Sequence, residues 1–133
     1  MIIGIGTDLV DIRRIEKTIG RFGERFTARI FTETERIKAE RRPHPAASYA
    51  QSYAAKEACA KALGTGFREG VFWLDMGVGN LASGKPILTL SGGARKRLST
   101  LTPPSMKASV DLSQSDEAML AQAMVVISAT PDS

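Results

Sequence analysis

Cysteine occurs once in these 133 residues, and so does histidine. With Cys59 alone, no disulfide can form within the chain. Its place in an alanine-rich helical run reads as a small buried apolar group rather than a reactive thiol. His44 lies between Pro43 and Pro45, a loop setting that suits neither a metal site nor a nucleophilic dyad. Acid–base chemistry therefore falls to carboxylates, lysines or metal-bound water. No apolar run approaches the ~20 residues that would span a bilayer. The opening segment MIIGIGTD has no positive leader, long apolar region or small-residue cleavage site, so a cytoplasmic protein with no membrane partner is expected. Also missing are the eight-residue glycine–lysine phosphate loop and the dinucleotide-binding glycine fingerprint, which removes support for the usual nucleotide-binding folds.

What remains is a basic chain of one-domain length, expected to fold over 1–133 with a disordered tail from about 129 to 133. The net charge is +4. Thirteen Lys and Arg against nine Asp and Glu fall in the first 70 residues, while the remainder balances at five of each. The excess lies mainly between Arg13 and Arg42, and a basic face of this kind attracts a phosphorylated ligand, an acidic protein or nucleic acid. Nucleic acid is not expected: Phe22, Phe26 and Phe31, interleaved with those arginines, read as core, and no nucleic-acid motif is present.

Periodicity gives an α+β chain with a mainly antiparallel sheet against one long helix. Ile2 to Gly6 reads as a buried strand ending at Thr7-Asp8. Ile12, Ile15 and Ile19 mark a helix that Gly20 and Gly23 should end. An irregular piece from Phe26 precedes a short helix, where Thr32 and Glu35 have capping-box spacing. Ser48 to Leu63 is helical, with Ser48 as N-cap, Gly64 as the stop and enough alanines to imply another backbone packed close by. Val71 to Val78 reads as a strand, with a hairpin turn from Leu81 to Pro86 leading into Ile87–Leu90. Ser91 to Leu101 reads as a helix, and Met106–Leu112 with Leu120–Ile127 as a final antiparallel pair.

Two carboxylates stand out. Glu57 and Lys61 share one face of the long helix at a four-residue spacing, which commonly means only a surface ion pair. Here the helix is otherwise small and apolar, and it ends at Gly64-Thr-Gly66, a turn that lets backbone approach a ligand. Asp8 closes an apolar strand at a strand–helix junction, where it either caps the next helix or presents a functional carboxylate. Two carboxylates, a lysine and a glycine turn suit Mg²⁺ and phosphate chemistry, because Mg²⁺ takes one or two protein carboxylates and completes its shell with water and phosphate oxygens. Gly84-Lys85-Pro86 is either a plain hairpin turn or a turn whose lysine reaches a phosphate.

Taken together these segments resemble the holo-acyl-carrier-protein synthase family of small phosphopantetheinyl transferases. Gly4–Ile12 (GIGTDLVDI) is similar to its opening signature and Phe31–Glu35 (FTETE) to its second motif. Ala54–Ala58 (AAKEA), continuing through Lys61–Gly66 (KALGTG), is similar to its most diagnostic segment. Gly84–Pro86 and Leu120–Ile127 follow in the family's order. The resemblance implies transfer of 4′-phosphopantetheine from coenzyme A to a serine of acyl carrier protein, serving fatty acid biosynthesis. It implies Mg²⁺ on Asp8 and Glu57, a diphosphate contact from Lys61 beside Gly64 and Gly66, and the adenosine end near Gly84, Lys85 and Pro86. Arg14, with Arg21 or Arg25, is implied to dock the carrier, and the family's homotrimer implies active sites between subunits. The role of Lys56 stays open between structural support and a phosphate contact. Three departures from the family pattern are Ser52, where an arginine is usual, the lack of a histidine in Val110–Glu117, where many relatives carry one, and Asp111, a negative charge where an uncharged or cationic group is more usual.

Overall fold

The computed structural model describes residues 1–132. Its first strand, β1 (Ile2–Asp11), runs past the expected end at Thr7-Asp8. Thr7, Asp8, Leu9 and Val10 lie opposite Met124, Ala123, Gln122 and Ala121 of the last strand, and this distant antiparallel ladder carries the segment on. Asp11, rather than Asp8, caps the helix that follows, its carboxylate accepting from the Arg13 backbone N–H at 2.9 Å. That helix, α1 (Ile12–Phe22), passes through Gly20 and ends at Gly23, whose φ of 54° breaks the helical path. The segment expected to be irregular is a helix, α2 (Glu24–Ile30). α3 (Glu33–Glu40) begins with the expected capping box, Thr32 and Glu35 each accepting from the other's backbone N–H.

The long helix, α4 (Pro45–Leu63), starts three residues before Ser48. Pro45 suits the first helical position, where its missing N–H has no partner to lose. Gly64 ends α4 in the left-handed region at φ 81°. Ala54, Ala55, Ala58 and Ala62 are buried, and the close-packed backbone they imply is β1. A Cβ on Gly4 would lie 2.3 Å from the Ala62 carbonyl oxygen, and one on Gly6 would lie 2.0 Å from that of Ala58. Only glycine lets the strand cross the helix at this distance.

After α4 the expected strand from Val71 is a short 3-10 turn (Trp73–Asp75) followed by β2 (Met76–Asn80). β2 and β3 (Pro86–Leu90) form their own two-stranded antiparallel hairpin. α5 (Gly92–Leu101) then leads to β4 (Met106–Glu117) and β5 (Leu120–Pro131). These last two strands pair antiparallel and, with β1, make a three-stranded sheet in the order β1-β5-β4. The tail expected to be disordered from Ala129 is strand as far as Pro131, with Ala129 N–H donating to Met1 O at 2.8 Å. Ser133 lies outside the described residues.

The architecture is thus α+β with antiparallel sheets around a central helix. α4 packs on one face of the three-stranded sheet, against β1 and β5, and takes α1 and α3 on its other flanks. The core gathers Val10, Ile15, Phe31, Leu63, Val125 and Ile127 around it. The opposite face carries an exposed apolar patch among polar residues: Ile5 is 62% exposed, Leu9 61% and Met124 41%. Among the described residues no helix is long and apolar enough to cross a membrane.

Candidate active site

The crossing of β1 over α4 decides which polar groups meet. Asp8 projects from β1 two residues beyond Gly6, and Glu57 precedes Ala58, the residue whose carbonyl lies against Gly6. One turn further along α4, Lys61 Nζ donates to Asp8 Oδ1 at 3.0 Å and to the Thr7 carbonyl oxygen at 3.0 Å. The Asp8 side chain is 12% exposed and that of Lys61 54% exposed, so a mostly buried carboxylate is paired with a largely solvent-exposed ammonium. Burial, and then the negative charge of Asp8, push the Glu57 carboxyl above its usual range, with Tyr53, Arg14 and Lys61 acting in the opposite sense. The sequence-predicted trio of Asp8, Glu57 and Lys61 is therefore one electrostatic cluster.

Tyr53 and Arg14 complete it. Tyr53 stands one turn before Glu57 on α4, and burial together with that carboxylate pushes its phenol up to about 12. Its ring lies 4.8 Å from Trp73, and Trp73 stacks on Phe67 at 3.8 Å, giving the cluster an aromatic wall. The Arg14 guanidinium lies over the Tyr53 ring at 5.9 Å. Tyr53 is a site residue that motif reading passed over; its signal was the four-residue spacing to Glu57, which puts both on one helix face.

The other expected residues divide. Gly64 and Gly66 follow Lys61 directly, with φ values of 81° and 61°. Arg97 of α5 fixes this turn by donating from Nε to Leu63 O at 2.9 Å. Gly84, Lys85 and Pro86 form the β2–β3 turn and its exit, with Gly84 at φ 93°. Lys85 faces Asp111 of β4 at 3.8 Å, with both side chains exposed, and shares no hydrogen bond or ion pair with Asp8, Glu57 or Lys61 among the described residues. Arg21 and Arg25 belong to a different patch: their guanidinium carbons lie 5.1 and 5.7 Å from the ring centroid of Phe22. Phe22 is exposed, which corrects the expectation that it belongs to the core. Thr18, Phe26 and Arg29 join Phe22 and Arg25 in lining a shallow cleft of about 380 Å³ there.

Lys56, beside Glu57 in sequence, points the other way. It is fully buried, pairs with Glu35 Oε1 at 2.7 Å and donates to Ile30 O at 2.7 Å. Glu35 Oε2 in turn accepts from Val78 N–H at 2.6 Å. Burial lowers the Lys56 pKa against the opposing pull of Glu35. Lys56 is thus a structural tie between α4, the end of α2, α3 and β2, with none of its side chain exposed to meet a phosphate.

The donor chemistry of the cluster is hard oxygen. No group of three or more His, Cys, Asp or Glu side chains gathers among the described residues, so no all-protein metal cage is built. Two carboxylates that repel one another fit a small divalent ion that takes its remaining ligands from water and a phosphorylated substrate.

This constellation, on an antiparallel α+β scaffold crossed by one alanine-rich helix, coincides with a family match. The chain belongs to the 4′-phosphopantetheinyl transferase superfamily, whose sequence model matches residues 4–113. Within that superfamily it is similar to the holo-[acyl-carrier-protein] synthase of Beijerinckia indica, at 64% identity over 97% of this chain and 92% of the relative. The holo-[acyl-carrier-protein] synthase of Rhizobium rhizogenes is 60% identical, covering 98% of both chains. Among solved structures, the holo-[acyl-carrier-protein] synthase of Neisseria meningitidis superposes with a TM-score of 0.84 at 38% identity, covering 96% of this chain and 99% of the other. The Helicobacter pylori enzyme, solved in complex with coenzyme A, gives 0.79 at 32% identity, covering 93% and 99%.

Proposed function

We propose that this chain transfers the 4′-phosphopantetheine group of coenzyme A to a serine of apo acyl carrier protein, giving holo carrier protein and 3′,5′-ADP. The observation that carries the reading is the meeting of Asp8, Glu57 and Lys61 at the β1–α4 crossing, in a chain of this family. The serine oxygen forms a bond to the β-phosphorus while the bond to the leaving 3′,5′-ADP oxygen breaks. The serine proton has the carboxylates of Asp8 and Glu57 at hand as acceptors. Lys61, on its long flexible stem, reaches a diphosphate oxygen and neutralises charge that grows on the leaving group. The turn at Gly64 and Gly66 brings backbone close to the same phosphates.

Asp8 and Glu57 would hold Mg²⁺, which supplies charge neutralisation for the bound diphosphate. The adenosine end is assigned to Gly84, Lys85 and Pro86, reached in an assembled oligomer. The exposed apolar patch with Ile5, Leu9 and Met124 supports assembly of copies, and a homotrimer with intersubunit sites is the arrangement assigned. Arg14, Arg21 and Arg25 are assigned to dock the acidic carrier, a role that the N-terminal basic excess supports. A single cytoplasmic domain serving fatty acid biosynthesis completes the reading.

The test is direct. Apo carrier protein, coenzyme A and Mg²⁺ are incubated with the protein, and the carrier is weighed by mass spectrometry. A mass gain equal to the phosphopantetheine arm is expected. An unmodified carrier, with the protein folded and coenzyme A intact, refutes the assignment.

A further inference from the structure

We propose that Lys61 and the divalent cation compete for Asp8, so that the lysine restrains metal loading until a diphosphate draws it away. The inference rests on the metal-site reading and concerns how that same site is controlled.

The Lys61 ammonium is held by two acceptors on consecutive residues of β1, the Thr7 carbonyl oxygen and Asp8 Oδ1, each at 3.0 Å. A divalent ion held by Asp8 would share that carboxylate with the ammonium, which lies only 3.0 Å from Oδ1. Two cations so close repel by enough to alter affinity by on the order of tenfold, even with water and salt screening them. The lysine is free to leave: more than half of its side chain is exposed, and its stem carries four rotatable bonds. A coenzyme A diphosphate offers the departing ammonium a stronger acceptor than one shared carboxylate. Metal and substrate then strengthen each other's binding through one side chain, and by linkage the effect is reciprocal. Lys61 thereby acts twice, guarding Asp8 first and neutralising phosphate afterwards.

The test measures Mn²⁺ binding to the intact protein by the loss of the free-ion electron paramagnetic resonance signal, with no turnover involved. Lys61→Met is expected to tighten binding of Mn²⁺ alone about tenfold. Coenzyme A is expected to enhance Mn²⁺ affinity less in this variant than in the parent. Arg14→Gln, which removes a cation that also faces Glu57, controls for general charge and is expected to change Mn²⁺ affinity much less. Unchanged Mn²⁺ affinity in Lys61→Met, or equal tightening in Arg14→Gln, overturns the competition. Asp8→Asn separates this from failure of the site: it is expected to abolish Mn²⁺ binding, and Mn²⁺ binding that survives it overturns the metal site along with the inference.

Discussion

Replacing Gly6 with alanine tests whether the β1–α4 crossing sets the geometry of the site. The added Cβ would lie 2.0 Å from Ala58 O, 2.8 Å from Ala62 N and 3.0 Å from Ala58 C. All three are backbone atoms of α4, so no side chain can swing aside. Restoring even a 3.0 Å contact parts strand and helix by about 1 Å, at an overpacking cost of about 1–3 kcal/mol. In a chain of this size each kcal/mol lowers Tm by roughly 3–6 °C. Asp8 rides on the strand and Glu57 on the helix, so the same movement separates the two carboxylates. A misplacement of about 1 Å in a catalytic constellation can lower turnover by about 10²-fold. Thermal melting with steady-state formation of holo carrier, run well below Tm, should therefore show a moderate loss of stability and a much larger loss of kcat. Gly20→Ala is the control: nothing lies within 4 Å of its added carbon, and in α1 it should gain about 0.5–1 kcal/mol with activity unchanged. A Gly6→Ala protein that melts and turns over like the parent would refute the reasoning.

Other residues give further tests. Lys56→Met strands a buried Glu35 carboxylate and should lower stability by about 3–5 kcal/mol, while Lys56→Met with Glu35→Gln recovers part of it; chemical denaturation of both reads the difference. Glu57→Gln should nearly abolish transfer yet raise Tm at pH 7 in the presence of a chelator. The sign follows from the raised Glu57 pKa: the folded state holds that proton more tightly than the unfolded chain, so the ionised carboxylate costs stability above the raised value. The advantage of glutamine should vanish as pH falls below the usual glutamate value of 4.5, where both states are protonated. Arg25→Glu, in the Phe22 patch, should raise the KM for carrier protein with kcat unchanged. Arg14→Glu should raise that KM and also lower kcat, because Arg14 faces Glu57 as well; an unchanged carrier KM in both variants removes the docking assignment.

Much of this was legible locally, because local rules wrote it. The Thr32–Glu35 capping box, the Gly64 stop and the β2–β3 turn follow from residues that touch within a few positions of one another. The alanine pattern of α4 announced a close backbone, though not which one. The full length of β1 was hidden, since Thr7 to Asp11 is held as strand by partners more than a hundred residues away. The end of β5 was hidden because Ala129 to Pro131 is held by Ala108 to Met106 of β4 and by Met1 rather than by its own sequence. Asp8 and Glu57 were marked by type and setting, but their meeting depends on two glycines fitting against Ala58 and Ala62. Lys56 was undecided because its partners, Glu35 and Ile30, come from other helices. Phe22 was misjudged because hydrophobicity does not tell an aromatic in the core from one flanked by arginines at the surface.

Cys59 has a consequence for handling a thiol reagent. It lies near the C-terminal end of α4 with no exposed surface, and burial pushes its thiol up to about 12. At neutral pH the group stays in the thiol form, without the thiolate that attacks a disulfide. Coenzyme A ends in a free sulfhydryl that oxidises readily, and a surface cysteine here would invite a mixed adduct between the catalyst and its own donor. With its single sulfhydryl sealed inside the core, the folded protein can work among oxidised and reduced forms of that donor without being captured by either.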